Sequence, residues 1–136
     1  MQPPSQIDHV GLAVHSLDEA SRFYRDVLGL QREGTEDIPD QKVRVMFFQV
    51  GEVRVELLEP TSDDSPIARF LEKKGQGLHH IAYRVEDLPA ALAALKSAGI
   101  KLIDEVPRSG ADGMKIAFAH PDSTAGVLTE FCQPAR

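Results

Sequence analysis

The chain has 136 residues, and its 21 acidic side chains outnumber the 15 basic ones, for a net charge of −6. This balance argues against a nucleic-acid-binding protein, which needs a broad basic face, and no apolar run is long enough to cross a bilayer. The N-terminal residues, MQPPSQ, show neither region of a signal peptide. The single cysteine, Cys132, excludes an intrachain disulfide and favours a reducing compartment, so the cytoplasm is the expected location.

A strand and a helix open the chain. Residues 7–14 (IDHVGLAV) predict the strand. Ser16 predicts the N-cap of a helix over 17–28, because a short hydroxyl side chain accepts hydrogen bonds from the first turn, and Gly29 suits the helix end. The apolar side chains of this helix are spaced as one stripe: Leu17, Ala20, Phe23, Tyr24, Val27 and Leu28.

Three strand-like pieces and a short linker helix complete the first half. Two of these pieces, at 43–50 and 52–59, predict a hairpin that turns at Gly51. The linker helix is predicted over 67–74 and ends at Gly75.

The second half repeats this order of elements. Residues 78–85 (LHHIAYRV) predict a strand, and a helix over 89–98 follows, with Pro89 in its first turn. Strand-like pieces are then predicted over 100–104, 114–120 and 126–132. The chain is therefore βαβββ, a linker helix, and βαβββ again.

Each half begins with a histidine on its first strand, His9 in one and His80 in the other. Because strand side chains alternate, His9 shares a face with the small residues Gly11 and Ala13, and His80 shares a face with Ala82. We expect the opposite, apolar faces to pack under the helices and the histidine faces to line a cavity.

Each half also ends in a strand that carries a carboxylate among apolar residues, Glu56 in the first and Glu130 in the second. Such a carboxylate is costly to bury unless it is paired or ligated. One reading is structural: Glu56 pairs with Arg44 or Arg54 and Glu130 lies on an exposed edge. The repeat-equivalent positions favour a shared site instead, since two imidazoles and two carboxylates suit a divalent ion such as Mn, Fe, Co, Ni or Zn.

The duplicated pattern resembles the vicinal oxygen chelate (glyoxalase/bleomycin resistance/dioxygenase) superfamily. Within it, the chain is most similar to the methylmalonyl-CoA epimerase family, and the resemblance covers nearly the whole chain. The matching segments are IDHVGLAV, FYRDVLGL, VELLEPTSDDSPIARFLEKKGQGLHHIAY, LIDEVPRSGADG and AFAHPDSTAGVLTEF. The resemblance implies an α+β fold in which two tandem βαβββ modules with mixed sheets form a cupped, half-open barrel around a metal site. It implies one domain over 1–136, with module one at about 5–60, the linker helix at about 65–75 and module two at about 77–134.

By position, the resemblance places the metal ligands at His9, Glu56, His80 and Glu130. Some epimerases carry Gln at the Glu56 position. The implied cofactor is a divalent ion, Co²⁺ first and Mn²⁺, Ni²⁺ or Zn²⁺ as alternatives. The implied assembly is a homodimer, and the implied reaction interconverts the two C2 epimers of methylmalonyl-CoA through an enolate.

Inversion at C2 needs proton transfer on two opposite faces of the substrate. The resemblance assigns Glu130 to one face. Some bacterial epimerases place a second catalytic Glu where this chain has Val45, and valine cannot transfer a proton. The second acid or base is left open among Glu56, Gln41 holding a water molecule, and a water molecule alone.

An acyl-CoA substrate also needs contacts for its phosphates and acyl group. The residues predicted to bind it are Gln41, Arg69, Lys74, Ser109 and Gly110. The last two begin a glycine-containing loop, 109–113, that could close over the substrate. The alternative is that the charged residues among them, Arg69 and Lys74, are surface side chains that contact only solvent.

Three other functions are weighed. A lactoylglutathione lyase can use the same four ligands, but the long match to the epimerase pattern argues against it. An extradiol dioxygenase uses two His and one carboxylate on iron, so Glu56 disfavours it. A metal-free binding protein of the resistance type would explain the duplication but not the four ligand-type residues.

Overall fold

The computed structural model describes residues 1–135, which form two compact units. The first unit contains residues 9–79, and the second contains residues 1–8 together with the chain from residue 80 onward. None of the helices within residues 1–135 is long and apolar enough to span a membrane.

The first unit has the predicted βαβββ order and the linker helix. Its elements are β1 (Gln6–Ala13, which enters this unit at His9), α1 (Leu17–Ser21), a π-helical segment (Arg22–Val27), β2 (Arg32–Ile38), β3 (Val43–Val50), β4 (Val53–Pro60) and α2 (Pro66–Lys74). The strands lie in the order β2–β3–β4–β1, with β1 parallel to β4 and the other pairs antiparallel.

The second unit repeats that topology. Its elements are β5 (Gly77–Arg84, which enters this unit at His80), α3 (Leu88–Ser97), β6 (Arg108–Ser109), β7 (Lys115–Ala119) and β8 (Thr129–Gln133). The order is β5–β8–β7–β6, with β5 parallel to β8 and the other pairs antiparallel. The α+β class and the two βαβββ modules are therefore confirmed.

The structure confirms the N-cap predicted at Ser16, and it shows caps of the same kind on the other two helices. The side chains of Ser16, Ser65 and Asp87 each accept a hydrogen bond from a backbone N–H in the first turn of α1, α2 and α3. Glu59 Oε1 adds a second acceptor at the start of α1, 3.2 Å from the Leu17 N–H. These bonds satisfy backbone donors that a helix leaves unpaired at its N-terminus.

The predicted single stripe of the first helix is wrong at its C-terminal end. Leu17 is buried, but Phe23, Val27 and Leu28 are all more than half exposed. From Arg22 the helix is π-helical, and the Leu28 N–H bonds the Phe23 carbonyl five residues back. The wider turn rotates the later side chains away from the face that the α-helical period predicts.

The strand predicted over 100–104 is also wrong. This segment makes one isolated bridge, Leu102 to Ala119, and the edge strand is the two-residue β6. The Phe118 N–H bonds the side chain of Asp104 at 2.9 Å, and the Phe118 carbonyl accepts from two successive N–H groups, those of Ile103 and Asp104. The Asp104 carboxylate thus accepts the hydrogen bond that the Phe118 N–H would donate to a backbone carbonyl in a regular β-ladder.

The apolar faces of the two first strands pack under helices, as predicted. In the first unit, Leu12 and Val14 pack with Leu17 of α1 against Phe48 and Leu57. In the second unit, one cluster combines strand and helix residues: Tyr83, Val85, Leu88, Ala91, Leu92, Ala117, Ala119 and Phe131. In each unit, this packing leaves the histidine of the first strand on the opposite face of the sheet.

Candidate metal and active site

The first unit holds a buried histidine–carboxylate pair. His9 Nδ1 lies 3.3 Å from Glu56 Oε2, and the two residues are 4% and 3% exposed. His9 lies on β1 and Glu56 on the parallel strand β4. The two predicted ligands of this half therefore meet on one face of one sheet.

The strand register explains how the pair forms. Glu56 is directly opposite Gly11, two residues beyond His9 on the same face of β1. Such a diagonal neighbour is within reach of long side chains. Because Gly11 has no side chain, the Glu56 side chain can lean along the strand toward the imidazole.

The second unit reproduces this geometry. His80 Nε2 lies 3.2 Å from Glu130 Oε1, and both residues are 4% exposed. Glu130 is directly opposite Ala82, again two residues beyond the histidine, on a parallel strand. The histidine-x-small pattern in the sequence is therefore the pattern that makes room for the carboxylate in both units.

The donor chemistry of both pairs fits a divalent metal ion. An imidazole nitrogen and a carboxylate oxygen that each bind one ion at about 2.1 Å, at roughly a right angle, lie about 3.0 Å apart. The two observed separations, 3.3 and 3.2 Å, are close to that value. Among residues 1–135, the buried histidine and carboxylate side chains include possible metal-binding groups.

An aromatic ring neighbours the carboxylate in each unit. Phe47 is directly opposite Glu56 on β3, and Phe118 is directly opposite Glu130 on β7. The His80 ring meets the edge of Phe118 at a centroid distance of 5.5 Å. These rings keep water from one side of each pair, which strengthens the electrostatic interactions within it.

An arginine covers each of these two rings. The Arg54 guanidinium lies 4.9 Å from the Phe47 centroid, and the Arg108 guanidinium lies 5.5 Å from that of Phe118. Arg54 Nη2 is also 3.4 Å from Glu56 Oε2, along the same strand. The alternative that Glu56 pairs with an arginine is therefore partly correct, because Arg54 contacts it. Arg44, the other candidate, pairs with Asp37.

Sequence reasoning missed a third buried carboxylate, Asp8. Its side chain is fully buried and accepts two hydrogen bonds from Arg84, at 2.6 and 3.1 Å. The Ser5 N–H also bonds the Arg84 carbonyl at 2.9 Å. The available signal in the sequence was that Asp8 directly precedes the predicted ligand His9. Its partner, Arg84, lies on β5, the equivalent strand of the second unit.

The predicted substrate-binding residues of the first unit lie at the surface or close to it. Gln41 ends a 3₁₀ turn, and its buried Nε2 atom has no hydrogen-bond partner within residues 1–135. Arg69, on α2, donates to the Asp64 carbonyl at 3.0 Å. Lys74, at the end of α2, lies 5.8 Å from the Phe70 ring. Of these three, Gln41 is the one whose geometry points to a ligand.

The predicted loop residues of the second unit have structural contacts. Lys115 Nζ lies 3.5 Å from Ser109 Oγ, and the Gly110 N–H bonds the Met114 carbonyl at 2.9 Å. A Cβ added at Gly110 would lie 2.7 Å from the Ile116 side chain. Gly110 is therefore required for close packing, whether or not it also contacts a substrate.

Known proteins share both this sequence and this fold. Residues 8–118 match the glyoxalase/bleomycin resistance protein/dioxygenase superfamily. The uncharacterised Bacillus subtilis protein YqjC is 52% identical, over 96% of this chain and 93% of its own. An ethylmalonyl-CoA/methylmalonyl-CoA epimerase from Cereibacter sphaeroides is 41% identical, over 94% of this chain and 97% of its own.

A solved structure extends the likeness to the backbone. A variant of Streptomyces coelicolor methylmalonyl-CoA epimerase, in complex with 2-nitronate-propionyl-CoA, is 37% identical and covers 98% of this chain and 96% of its own, with a TM-score of 0.94. A likeness of this extent at this identity is that of a homologue. The chain belongs to the glyoxalase/bleomycin resistance protein/dioxygenase superfamily and, within it, to the methylmalonyl-CoA epimerase family.

Proposed function

We propose that this protein is a metal-dependent epimerase that interconverts the two C2 epimers of methylmalonyl-CoA. The observation that carries the proposal is the buried His–Glu pair, repeated in the same register in both units of a chain from this family. A resistance-type binding protein would not need four buried ligand-type side chains, which are costly to bury without a partner.

We propose that His9, Glu56, His80 and Glu130 bind one divalent ion. When bound, the ion would act as a Lewis acid that stabilises negative charge on the thioester oxygen of the substrate. Burial of the four side chains supports this assignment, because exclusion of water strengthens the attraction between the carboxylates and a cation.

Glu130 is the proposed acid and base for one face of C2. A carboxylate can take the C2 proton and return it, which contributes about 10²–10⁴-fold to such reactions. Its position beside Phe118 limits access of bulk water to the carboxylate. Glu56 carries the equivalent carboxylate in the first unit, where Arg54 Nη2 lies 3.4 Å from its Oε2 atom and occupies one side of it.

Five residues are proposed to bind the acyl-CoA: Gln41, Arg69, Lys74, Ser109 and Gly110. The Gln41 amide supports this most directly, because a buried donor without a partner costs about 1–3 kcal/mol unless a ligand or water accepts its hydrogen bond. The exposed cations Arg69 and Lys74 suit the phosphates of CoA.

Three finer assignments complete the proposal. The ion is Co²⁺, with Mn²⁺, Ni²⁺ or Zn²⁺ as alternatives, since all of them accept imidazole and carboxylate ligands. The protein is a homodimer, and the exposed side chains of Phe23, Val27 and Leu28 offer an apolar surface for association. It acts in the cytoplasm as a single-domain enzyme.

The test is solvent deuterium uptake at C2 of methylmalonyl-CoA, followed by NMR with Co²⁺-loaded protein. We expect rapid exchange that depends on the metal, and inversion of configuration when the reaction is coupled to a stereospecific mutase. Ethylmalonyl-CoA, assayed in parallel, defines how large an acyl group the enzyme accepts.

The absence of exchange above background, in protein that holds its metal, would contradict the proposal. Activity on the glutathione adduct of methylglyoxal in that case would favour a lactoylglutathione lyase. A protein that binds no divalent ion would point to the binding-protein alternative.

A further inference from the structure

The paired strands of the first unit place one more carboxylate on the face that carries His9 and Glu56. Glu36 of β2 is directly opposite Val45 of β3, Val45 is opposite Leu58 of β4, and Leu58 is opposite Ala13 of β1. Residues directly opposite each other in a sheet point to the same side, and Ala13 shares its side of β1 with His9. Glu36 therefore projects from the histidine face.

The other acidic residues of these strands point elsewhere. Asp37, next to Glu36, is on the opposite face, where it pairs with Arg44. Glu59 bonds the first turn of α1. Among the regularly paired residues of β1–β4, Glu36 and Glu56 are thus the two acidic residues on the histidine face.

The surroundings of Glu36 suit proton transfer. The neighbours in its row, Val45 and Leu58, are buried apolar residues that cannot exchange a proton. Glu36 itself is half-buried, so its carboxyl group can exchange with solvent protons between turnovers. Gly34, two residues away on the same side, has open space above it, which leaves room beside Glu36 for a substrate.

We propose that Glu36 is the second acid and base of the epimerase, in addition to Glu130. In one direction the C2–H bond breaks, the Glu36 carboxylate takes the proton, and the electron pair delocalises onto the thioester oxygen as an enolate. Protonated Glu130 then donates its proton to the other face of C2, and a new C2–H bond forms there. The reverse direction exchanges the two roles, and proton exchange with solvent resets both carboxyl groups.

This inference rests on the proposed function and answers the question that Val45 raises. Since the side chain at position 45 cannot carry a proton, the directly opposite residue on the neighbouring strand supplies the carboxylate. Residues that face each other across a strand pair have Cβ atoms about 4.5–5.5 Å apart, roughly the reach of one glutamate side chain.

The test compares Glu36→Gln with Asp37→Asn, a matched amide substitution on the opposite face of the same strand. Each epimer of methylmalonyl-CoA is incubated separately in D₂O with metal-loaded protein. In Glu36→Gln we expect inversion to fall about 10²–10⁴-fold, while one epimer still exchanges its C2 hydrogen with retention of configuration. Asp37→Asn should match the unchanged protein.

Exchange without inversion is the signature that a structural role would not produce. Inversion at the unchanged rate in Glu36→Gln would overturn the inference, as would equal loss of exchange and inversion from both epimers in a variant that keeps its fold and metal. If Glu36→Gln does not fold, Glu36→Met, which also removes the carboxyl group and is similar in size, applies the same criteria. The failure of the unchanged protein to exchange either epimer would instead contradict the proposed function.

Discussion

The two units build the same His–Glu pair but surround it differently. In the first unit, Glu56 contacts Arg54 at 3.4 Å as well as the histidine. In the second unit, the arginine over the equivalent ring is Arg108, and it pairs with Asp104 at 3.1 Å instead. The second strand also differs, with seven residues in β2 and two in β6. The duplicated fold thus provides matching His–Glu pairs, and the differences between their surroundings are the basis on which we propose different roles for the two carboxylates.

The largest expected difference between the units is that between their carboxylates. Glu130→Gln should lower kcat about 10³-fold, because it removes a proton carrier, whereas Glu56→Gln should cost no more than about tenfold, because an amide oxygen still binds a cation. Steady-state epimerisation, with bound metal measured in both variants, checks this. Equal losses in the two variants would remove the distinction between the units.

The small residue opposite the glutamate provides a sharper test of the register. Ala82→Val places extra volume where the Glu130 side chain leans toward His80, so metal affinity should fall roughly 10- to 100-fold. Ala119→Val is the matched control, since Ala119 is equally buried but faces the helix. Both substitutions should cost about 1–3 kcal/mol of folding stability through overpacking.

Metal titration and thermal unfolding of the two alanine variants separate these effects. A loss of metal affinity in Ala119→Val as large as that in Ala82→Val would mean that overpacking alone explains the result.

The arginine next to Glu56 should weaken metal binding in the first unit. Arg54→Gln removes a cation that competes for the Glu56 oxygen, so the affinity for a divalent ion should rise about 3- to 10-fold. Arg108→Gln removes the corresponding ring contact in the second unit and should leave metal affinity unchanged. Isothermal titration with Co²⁺ compares the two, and a decrease in affinity for Arg54→Gln would show that Arg54 orients the ligand instead.

The smallest expected effects come from an exposed ion pair in each unit. Lys42 and Ser62 lower the pKa of Asp64 from 3.8 to about 2, and Lys96 lowers the pKa of Glu105. A carboxyl group whose pKa is lowered by folding stabilises the folded state at any pH above the pKa that it has in the unfolded chain. This contribution is therefore lost as the pH falls from about 4 toward 2. Above pH 5 neither pair should change stability with pH.

A carboxyl-detected NMR titration of the two pairs provides the check. Lys42→Ala should return the pKa of Asp64 toward its ordinary range and leave Glu105 unchanged. An unshifted Asp64 in the parent protein would contradict the ion pair.

The sequence predicted the repeated modules and singled out the four residues of the two buried pairs because these depend on period and register. A strand with small residues on the face of His9 or His80, followed by a strand with a central glutamate, allows few other pairings. The π-helical turn after α1 and the short β6 were not predictable in this way. Both depend on tertiary hydrogen bonds, such as that of Asp104 to Phe118, which leave no local pattern.

Residues that act across strands were also beyond sequence reasoning. Glu36 lies in a charged, half-exposed strand with no apolar alternation, so β2 itself was not located in the sequence. Its position opposite Val45 follows from the hairpin register, which the structure supplies. The contact of Asp8 with Arg84 likewise requires knowledge of which strands meet.

The most direct test of the account is the number of divalent ions that one chain binds. We predict one Co²⁺ per chain, measured by elemental analysis after equilibrium dialysis, and less than one tenth of that in either His9→Ala or His80→Ala. His79→Ala, whose side chain contacts Phe70 instead, should retain the ion. Two ions per chain, or one ion retained when either His9 or His80 is replaced, would contradict the claim that the two His–Glu pairs serve a single metal.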